Sequence, residues 1–464
     1  MKILVLNCGS SSIKFQFIEM RTEELICKGA IEKIGTASAL LTYEPHHSSK
    51  IKEVHEILNH NQAIEHIINL LLSSKTGVIK DKREIDGIGH RVVHGGEKFS
   101  DSVLISEEVE TCIREFCKFA PLHNPHNLKG IEVCKTVLPG IPQIAVFDTA
   151  FHHNMPEEAY IYGLPYAIYR KFGIRRYGFH GTSHKYVANR AIELLKKPKA
   201  RTKIITCHLG NGSSIAAVKG GVSIDTSMGF TPLEGLIMGT RCGDIDPAVI
   251  PYLMEREKLS LKEIDSLMNK QSGLLGISET SNDLREIIEA AKDNSHLSQL
   301  AIDIFCYRIK KYVGAYMAAL GGLDALVFTG GIGENAAIVR EKVCENMECI
   351  GIKIDSILNG KSEEVIGTGK TKVFVIKTNE ELTIARDASQ IIEQMQDDQK
   401  KADPGETENE LLKLDSKDMR NLVLLWINNP TISMNDLSVE FKKQSQKSVS
   451  SRAIEYQLKA MNLK

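Results

Sequence analysis

The chain has no CxxC pair, although it holds ten cysteines among its 464 residues, so the usual spacing of zinc and dithiol redox motifs is missing and free thiols are expected. It also lacks an uninterrupted apolar run of about 18 residues, the length that a membrane-spanning helix needs. The opening Met1–Asn7 is too short an apolar run for a signal peptide, and a cytoplasmic location is expected. An excess of one charge is missing too: 58 Lys and Arg face 59 Asp and Glu, and the formal net charge of −1 predicts no broad attraction to nucleic acid or anionic membrane. No G-x-x-x-x-G-K-[ST] run occurs, which sets aside a P-loop nucleotide site.

What is present is an ordinary globular composition, 42% hydrophobic and 25% charged, over a length that suits two or three domains. Short runs rich in β-formers at Ile3–Leu6, Ile13–Ile18, Gln143–Phe147, Ile204–Cys207, Ile215–Val218, Leu326–Thr329 and Val373–Ile376 read as strands. Between them Ile64, Ile67, Ile68 and Leu71 follow helical spacing, as do Val187, Ala191, Leu194 and Leu195 after a cap at Thr182 or Ser183. The class is α/β. Lys2–Ile13 and Lys203–Ile215 share the order strand, glycine turn, strand, which implies a duplicated domain; two independent hairpins are the less economical reading. The charged, Pro-Gly-containing stretch 398–409 reads as a linker, and 410–464 as a small helical unit. Leu411, Leu412, Leu422, Leu424, Leu425 and Trp426 mark its first helix, Leu437–Phe441 a second, and Ile454, Leu458 and Met461 a third.

Three loops have the chemistry of phosphate sites. In Asn7–Lys14 a glycine and small serines let backbone N–H groups close on an anion, while the Ser10 and Ser12 hydroxyls add donors and Lys14 a charge. A plain serine-rich hairpin has the same residues. His208-Leu209-Gly210-Asn211-Gly212 repeats the pattern. Gly330–Asn335 follows a strand and precedes a helix expected from about Ala336, so close backbone approach and a helix N-terminus coincide. That loop lacks G-x-G-x-x-G spacing, which favours a nucleotide site shared by three loops over a dinucleotide fold. Arg91 and Arg241 lie beside glycines in turns, where a guanidinium grips a carboxylate or phosphoryl group in a planar, bidentate way, unless it is merely solvated. His180 stands just before a helix, and Asp148 ends the strand Gln143–Phe147, where ligand-facing residues of α/β sheets lie. A capping histidine and a turn-forming aspartate fit the same pattern.

Taken together, Asn7–Phe15, His90–Gly96, Tyr177–His184, His208–Ser214, Pro232–Pro247, Asp283–Arg285, Gly330–Asn335 and Thr378–Arg386 resemble the ordered motifs of the acetate kinase family, from Met1 to about Gln394. The resemblance implies two ribonuclease-H-like (actin-like ATPase) domains, 1–150 completed by about 384–397 and 151–383, flanking a nucleotide cleft in a homodimer. It implies reversible transfer of the ATP γ-phosphoryl group to acetate, with Mg²⁺ or Mn²⁺. By resemblance, Asn7 and Glu380 hold the metal or its waters. Ser10, Ser12, Lys14, His208–Gly212, Asp283, Leu284, Arg285 and Gly331-Ile332-Gly333-Glu334-Asn335 bind ATP. Arg91 binds acetate, and His180 and Arg241 stabilise the transition state, with Asp148 as the active-site acid. Val93, Leu122, Phe179 and Pro232 enclose the methyl group. A carboxylate with a pKa of about 4.3 is already ionised at neutral pH, so Asp148 is expected to position metal-bound water or an arginine instead of abstracting a proton. Departures from the family pattern within this body are Leu284, where some members carry an aromatic residue, and Cys242, where many carry serine; the segment after about residue 398 is a third.

Other readings stay open at this stage. A propionate or other short-chain acid kinase needs only a slightly larger pocket, and a chaperone-like or actin-like nucleotide module needs no acid clamp. The run Thr431–Lys464, with six Lys or Arg against three Asp or Glu, resembles a helix-turn-helix unit, so nucleic-acid contact is expected of 430–464 if anywhere, with protein docking as the alternative.

Overall fold

The computed structural model describes residues 1–46, 49–121, 123–402, 414–445 and 447–461. Leu122, Leu411, Leu412 and residues 403–409 of the expected linker lie outside the described residues. The chain divides into two compact units, Met1–Ile391 and Ile392–Lys464.

In the larger unit, β1 (Lys2–Cys8), β2 (Ser12–Glu19), β3 (Glu24–Glu32), β4 (Thr36–Pro45), β5 (Ile51–Ile57), β6 (Gly87–Val92), β7 (Val103–Leu104) and β8 (Gln143–Phe147) form one sheet, ordered β5-β4-β3-β2-β1-β6-β8-β7. A second sheet, ordered β11-β10-β9-β12-β13, holds β9 (Lys203–Leu209), β10 (Ser213–Lys219), β11 (Val222–Thr226), β12 (Ala325–Thr329) and β13 (Lys372–Val375). In the first, β3, β2 and β1 pair antiparallel, then β6 and β8 follow parallel. In the second, β11, β10 and β9 pair antiparallel, then β12 and β13 follow parallel. Order and sense match strand for strand, so the repeated hairpin is the visible trace of a duplicated ribonuclease-H-like sheet. The interior strands β8 and β12 are buried along their whole length, as largely apolar runs flanked by helices must be.

Helices cover these sheets with apolar stripes. His60–Leu72 buries Ile64, Ile67, Ile68 and Leu71 and is capped by Asn59, whose side chain accepts from Gln62 N. Gly181–Leu195 packs Val187, Ala188 and Ala191 on the second sheet. Its cap is His180, not Thr182 or Ser183, which are buried in the first turn; His180 adopts a left-handed φ of +56°. The glycine run expected as a turn is itself the helix Gly330–Asn335, followed by Ala337–Cys344. A Cβ on Gly330 would lie 2.7 Å from Leu209 O, so this close approach to β9 at the helix start requires glycine. The helix Glu380–Ala402 runs through the first residues of the expected linker. Its Ile384 packs where a Cβ on Gly89 would come within 2.6 Å, which fastens it to β6 of the first sheet. Among the described residues no helix is long and apolar enough to cross a membrane.

In the smaller unit, Ser416–Asn428, Met434–Ser445 and Ser451–Ala460 enclose Leu422, Trp426, Leu437, Phe441, Val449, Ala453, Ile454 and Leu458. An ion pair between Lys447 and the buried Asp418 ties its last turn to its first helix.

Arg340 is fully buried and has no counterpart in the sequence reading. Its Nη1 donates to Gly333 O at 2.8 Å and Glu334 O at 3.0 Å, and its Nε and Nη2 donate to Asn359 Oδ1 and O, both at 2.7 Å. It therefore secures the C-terminal carbonyls of the Gly330–Asn335 helix. Arg340→Met leaves those buried acceptors unpaired, at about 1–3 kcal/mol each before relaxation, so a loss of about 3 kcal/mol is expected in urea unfolding. A loss below about 0.5 kcal/mol contradicts this.

Candidate active site

β1 and β2 place Asn7 opposite Lys14, and the turn between them closes through Gly9 N–H to Ser12 O at 2.8 Å. Two asparagines at the start of the helix Asn124–Val137 lock this turn to the loop after β6. Asn127 donates to Cys8 O at 2.8 Å and accepts from Val93 N at 3.1 Å, while Asn124 makes the same two-way contact with the His94 backbone. These residues were absent from the sequence reading, because their partners are distant in sequence.

At the end of β6, Arg91 Nε and Nη2 donate to Asp148 Oδ1 and Oδ2 at 3.0 and 2.6 Å. Arg91 Nη1 reaches Asn7 Oδ1 at 3.5 Å. Burial works against the Arg91 charge, but Asp148 and Glu380 outweigh it and hold its pKa above the ordinary value. Burial raises the Glu380 pKa, against the pull of Arg91. Asn7, Arg91, Asp148 and Glu380 thus form one polar cluster, with Lys14 in electrostatic reach of Glu380.

The second sheet supplies a chain of imidazoles and hydroxyls. His180 Nδ1 meets Ser214 Oγ at 2.9 Å, and its ring lies 4.3 Å from that of His208. His184 bridges Thr206 Oγ1 and Ser214 Oγ, both at 2.7 Å, and His208 Nδ1 meets Ser183 Oγ at 2.7 Å. Burial, reinforced by His208 and His184, pushes His180 well below the usual histidine range. His123 is a further site histidine that the sequence reading missed: burial, then Arg91 and Arg241, lower its pKa.

Arg241 differs from Arg91. Its Nη1 donates to Pro232 O at 3.2 Å and lies 3.7 Å from Met238 Sδ, and among the described residues no carboxylate pairs with it. Burial alone lowers its pKa. A Cβ on Gly212 would stand 3.4 Å from His180 Nε2 and 3.7 Å from Arg241 Nη1, so the second loop's glycine lets these two groups converge. Cys242, beside it, donates Sγ–H to Gly243 O at 3.2 Å. Val93 and Phe179 form a buried apolar cluster with Ala120, Met228 and Met238, of which the last three were unforeseen. Pro232 is half-buried at Arg241, and Leu122 lies outside the described residues.

A cavity of about 840 Å³ lies between the other loops, lined by Gly210, Asn211, Asp283, Leu284, Arg285, Gly331, Ile332 and Asn335. The volume suits a nucleotide. Asp283 caps the helix Leu284–Lys292 and pairs with the exposed Arg285. His208, Leu209, Gly212, Gly333 and Glu334 are not on this wall. Glu334 turns inward, its Oε1 accepting from Gly330 N at 3.0 Å and Thr378 N at 3.1 Å, so it braces the loop.

Burial holds His90, His152 and His208 neutral, with pKa values of about 4, and His94 at about 3. Below the unfolded value of about 6.5 the unfolded chain takes up protons that the folded chain refuses, so stability is full above pH 6.5 and falls as pH drops toward 4. Each such histidine contributes up to about 1.4 kcal/mol per pH unit in that window. The urea midpoint is therefore expected to fall steeply between pH 6.5 and 5; a flat midpoint contradicts the buried neutral imidazoles.

The acetokinase family model matches residues 2–386. The acetate kinase of Halothermothrix orenii is 55% identical over 397 residues, covering 85% of this chain and all of that protein. Among solved structures, Porphyromonas gingivalis acetate kinase is 50% identical, with a TM-score of 0.80 over 84% of this chain and 99% of its own. A propionate kinase from Francisella tularensis is 45% identical, with a TM-score of 0.79 over the same shares, 84% and 99%.

Proposed function

This chain belongs to the acetokinase family, and we propose that it transfers the γ-phosphoryl group of ATP to acetate, reversibly, giving acetyl phosphate and ADP. The observation that carries the reading is Arg241. A half-buried guanidinium without a counter-charge beside His180 and a small apolar cluster is a receptor for an anion with a short apolar end. Arg91 is already paired, so Asp148 orients it and leaves Nη1 toward Asn7 and the cleft.

One acetate oxygen attacks the γ-phosphorus in line. The new P–O bond forms as the bond to the β-bridging oxygen breaks, and that oxygen leaves with the electron pair on ADP. No proton has to move, because acetate arrives ionised. The work left to the protein is alignment and stabilisation of charge on the equatorial oxygens. Arg91, Arg241 and the neutral His180 take the second task, and the loops bounding the 840 Å³ cavity take the first. Val93, Phe179 and Pro232, with Ala120, Met228 and Met238, hold the methyl group.

Mg²⁺ belongs to the proposal. Among the described residues no three His, Cys, Asp or Glu side chains form a cage for an ion, whereas the Asn7 amide oxygen and the Glu380 carboxylate are hard donors of the number that Mg²⁺ takes when waters and phosphates complete its shell. When bound, the ion neutralises charge on the β- and γ-phosphates. Mn²⁺ would take the same donors. The proposal also includes a cytoplasmic homodimer, for which the exposed Ile245, Val249, Tyr252 and Leu261 offer apolar surface.

Propionate is the second acid to consider, since one methylene alters discrimination only about 10–200-fold. Trapping the acyl phosphate as hydroxamate, with ATP and each acid in turn, tests both points. Acetate is expected to give the larger kcat/KM, and Arg241→Ala to lower kcat about 100–1,000-fold, the cost of one lost transition-state donor. No hydroxamate from either acid would overturn the kinase reading; a larger value for propionate would overturn the choice of acid.

A further inference from the structure

Two helices carry site residues at their start and meet again deeper in the fold. Gly181–Leu195 follows His180 and packs on the second sheet, while Glu380–Ala402 opens with Glu380 and packs on the first. Lys185 stands five residues past His180, and Asp387 seven past Glu380. Their side chains pair, with Lys185 Nζ 2.9 Å from Asp387 Oδ1 and 3.0 Å from Oδ2. Oδ2 also accepts from the Ser102 hydroxyl at 2.7 Å, just before β7 of the first sheet. At a helical rise of 1.5 Å per residue, the pair lies about 8–10 Å along each helix from the residue that faces the cleft.

The pair is sheltered: Lys185 is 34% and Asp387 14% exposed, so salt screens it less than a pair at the surface. The neighbouring Arg386 does not compete for Asp387, because Glu23 takes it at 2.6 and 2.7 Å and fastens the same helix to the first sheet. Beside the pair a cavity of about 290 Å³, lined by Ser102, Phe151, Thr182, Lys185 and Asp387, leaves space between the two halves. A second bridge joins them elsewhere, where Glu97 accepts from Arg175 at 3.2 Å and from Tyr169 at 2.9 Å. The two halves are thus joined by polar contacts at two separate places.

We propose that Lys185 and Asp387 form a pin that sets the angle between the two sheet-bearing halves, and that both are positioning residues for phosphoryl transfer. The inference rests on the kinase reading above. The nucleotide cavity, His180 and Arg241 are built by the second half, and Asn7, Arg91, Asp148 and Val93 by the first, so the groups that bracket the reactants converge only when the angle is right. An error of about 1 Å between reacting atoms costs on the order of 100-fold in rate. Asp387 contacts neither reactant; it acts through the helices that begin at His180 and Glu380.

The test uses the full chain. Asp387→Asn keeps the shape and removes the charge, and it is expected to lower kcat at least tenfold while KM for ATP and for the acid change less than twofold. Exchanging the charges, Lys185→Asp with Asp387→Lys, is expected to recover most of that loss. Because a stability defect lowers the folded fraction, and with it the apparent kcat alone, kcat is taken per folded chain, counted from the urea-unfolding baseline of the same sample. A stability defect then leaves kcat unchanged, and a misset angle does not. The proposal is overturned by an unchanged kcat in Asp387→Asn, or by a loss shared equally with KM that the exchange leaves in place. If the wild-type chain forms no acyl phosphate, the kinase reading fails separately, and small-angle scattering with ADP decides on the pin. Asp387→Asn is then expected to show the larger radius of gyration, and an equal radius overturns the proposal.

Discussion

Arg241 keeps a positive charge half out of water and, among the described residues, has a carbonyl oxygen and a thioether as its side-chain partners. Holding a cation in that state costs free energy that the surrounding packing must supply. The two sheets make this arrangement stable. Loops at the ends of β1 and β6 present one guanidinium already neutralised by Asp148, and the loops of the second half present one that is not. Among the described residues, the guanidinium of the first half has a carboxylate partner and that of the second has none. Were Arg241 paired as Arg91 is, this side of the site would attract an anion less.

The histidines follow the same logic from the other side. His180, His184 and His208 lie close together, within reach of two arginines, and would repel one another if charged. Burial keeps them neutral, and the Ser183, Ser214 and Thr206 hydroxyls give their ring nitrogens partners. Neutral imidazoles can sit beside Arg241 without raising the cost of its charge. The site is polar and densely hydrogen-bonded, and its imidazoles add no charge to it.

Much of the fold was legible because its central strands are buried on both faces. Within Gln143–Phe147 and Leu326–Thr329, Ile144–Phe147 and Leu326–Phe328 are unbroken apolar runs, and the repeated hairpin announced the second sheet. β3, β4 and β5 escaped notice because they are partly exposed and mix charged residues with apolar ones, so neither an apolar run nor a clean alternation stands out. The loops around Arg91, His180, Arg241 and Gly330 were visible as motifs. What they touch was not: Asn124 and Asn127 act through contacts distant in sequence, and Met228 and Met238 reach the apolar cluster from irregular backbone with no period to reveal them. Arg340 reads as an ordinary helix arginine, since burial of a charge depends on partners brought together only by the fold.

The central claim is direct transfer, with acid and nucleotide held at once across the cleft and no phosphorylated side chain in between. The stereochemical course at phosphorus tests it most directly, using ATP made chiral at the γ-phosphoryl group with oxygen isotopes and sulfur, and acetate as acceptor. A single in-line displacement predicts inversion of configuration in the acyl phosphate. Retention would mean two displacements through a carboxylate or imidazole of the protein, and would contradict the account.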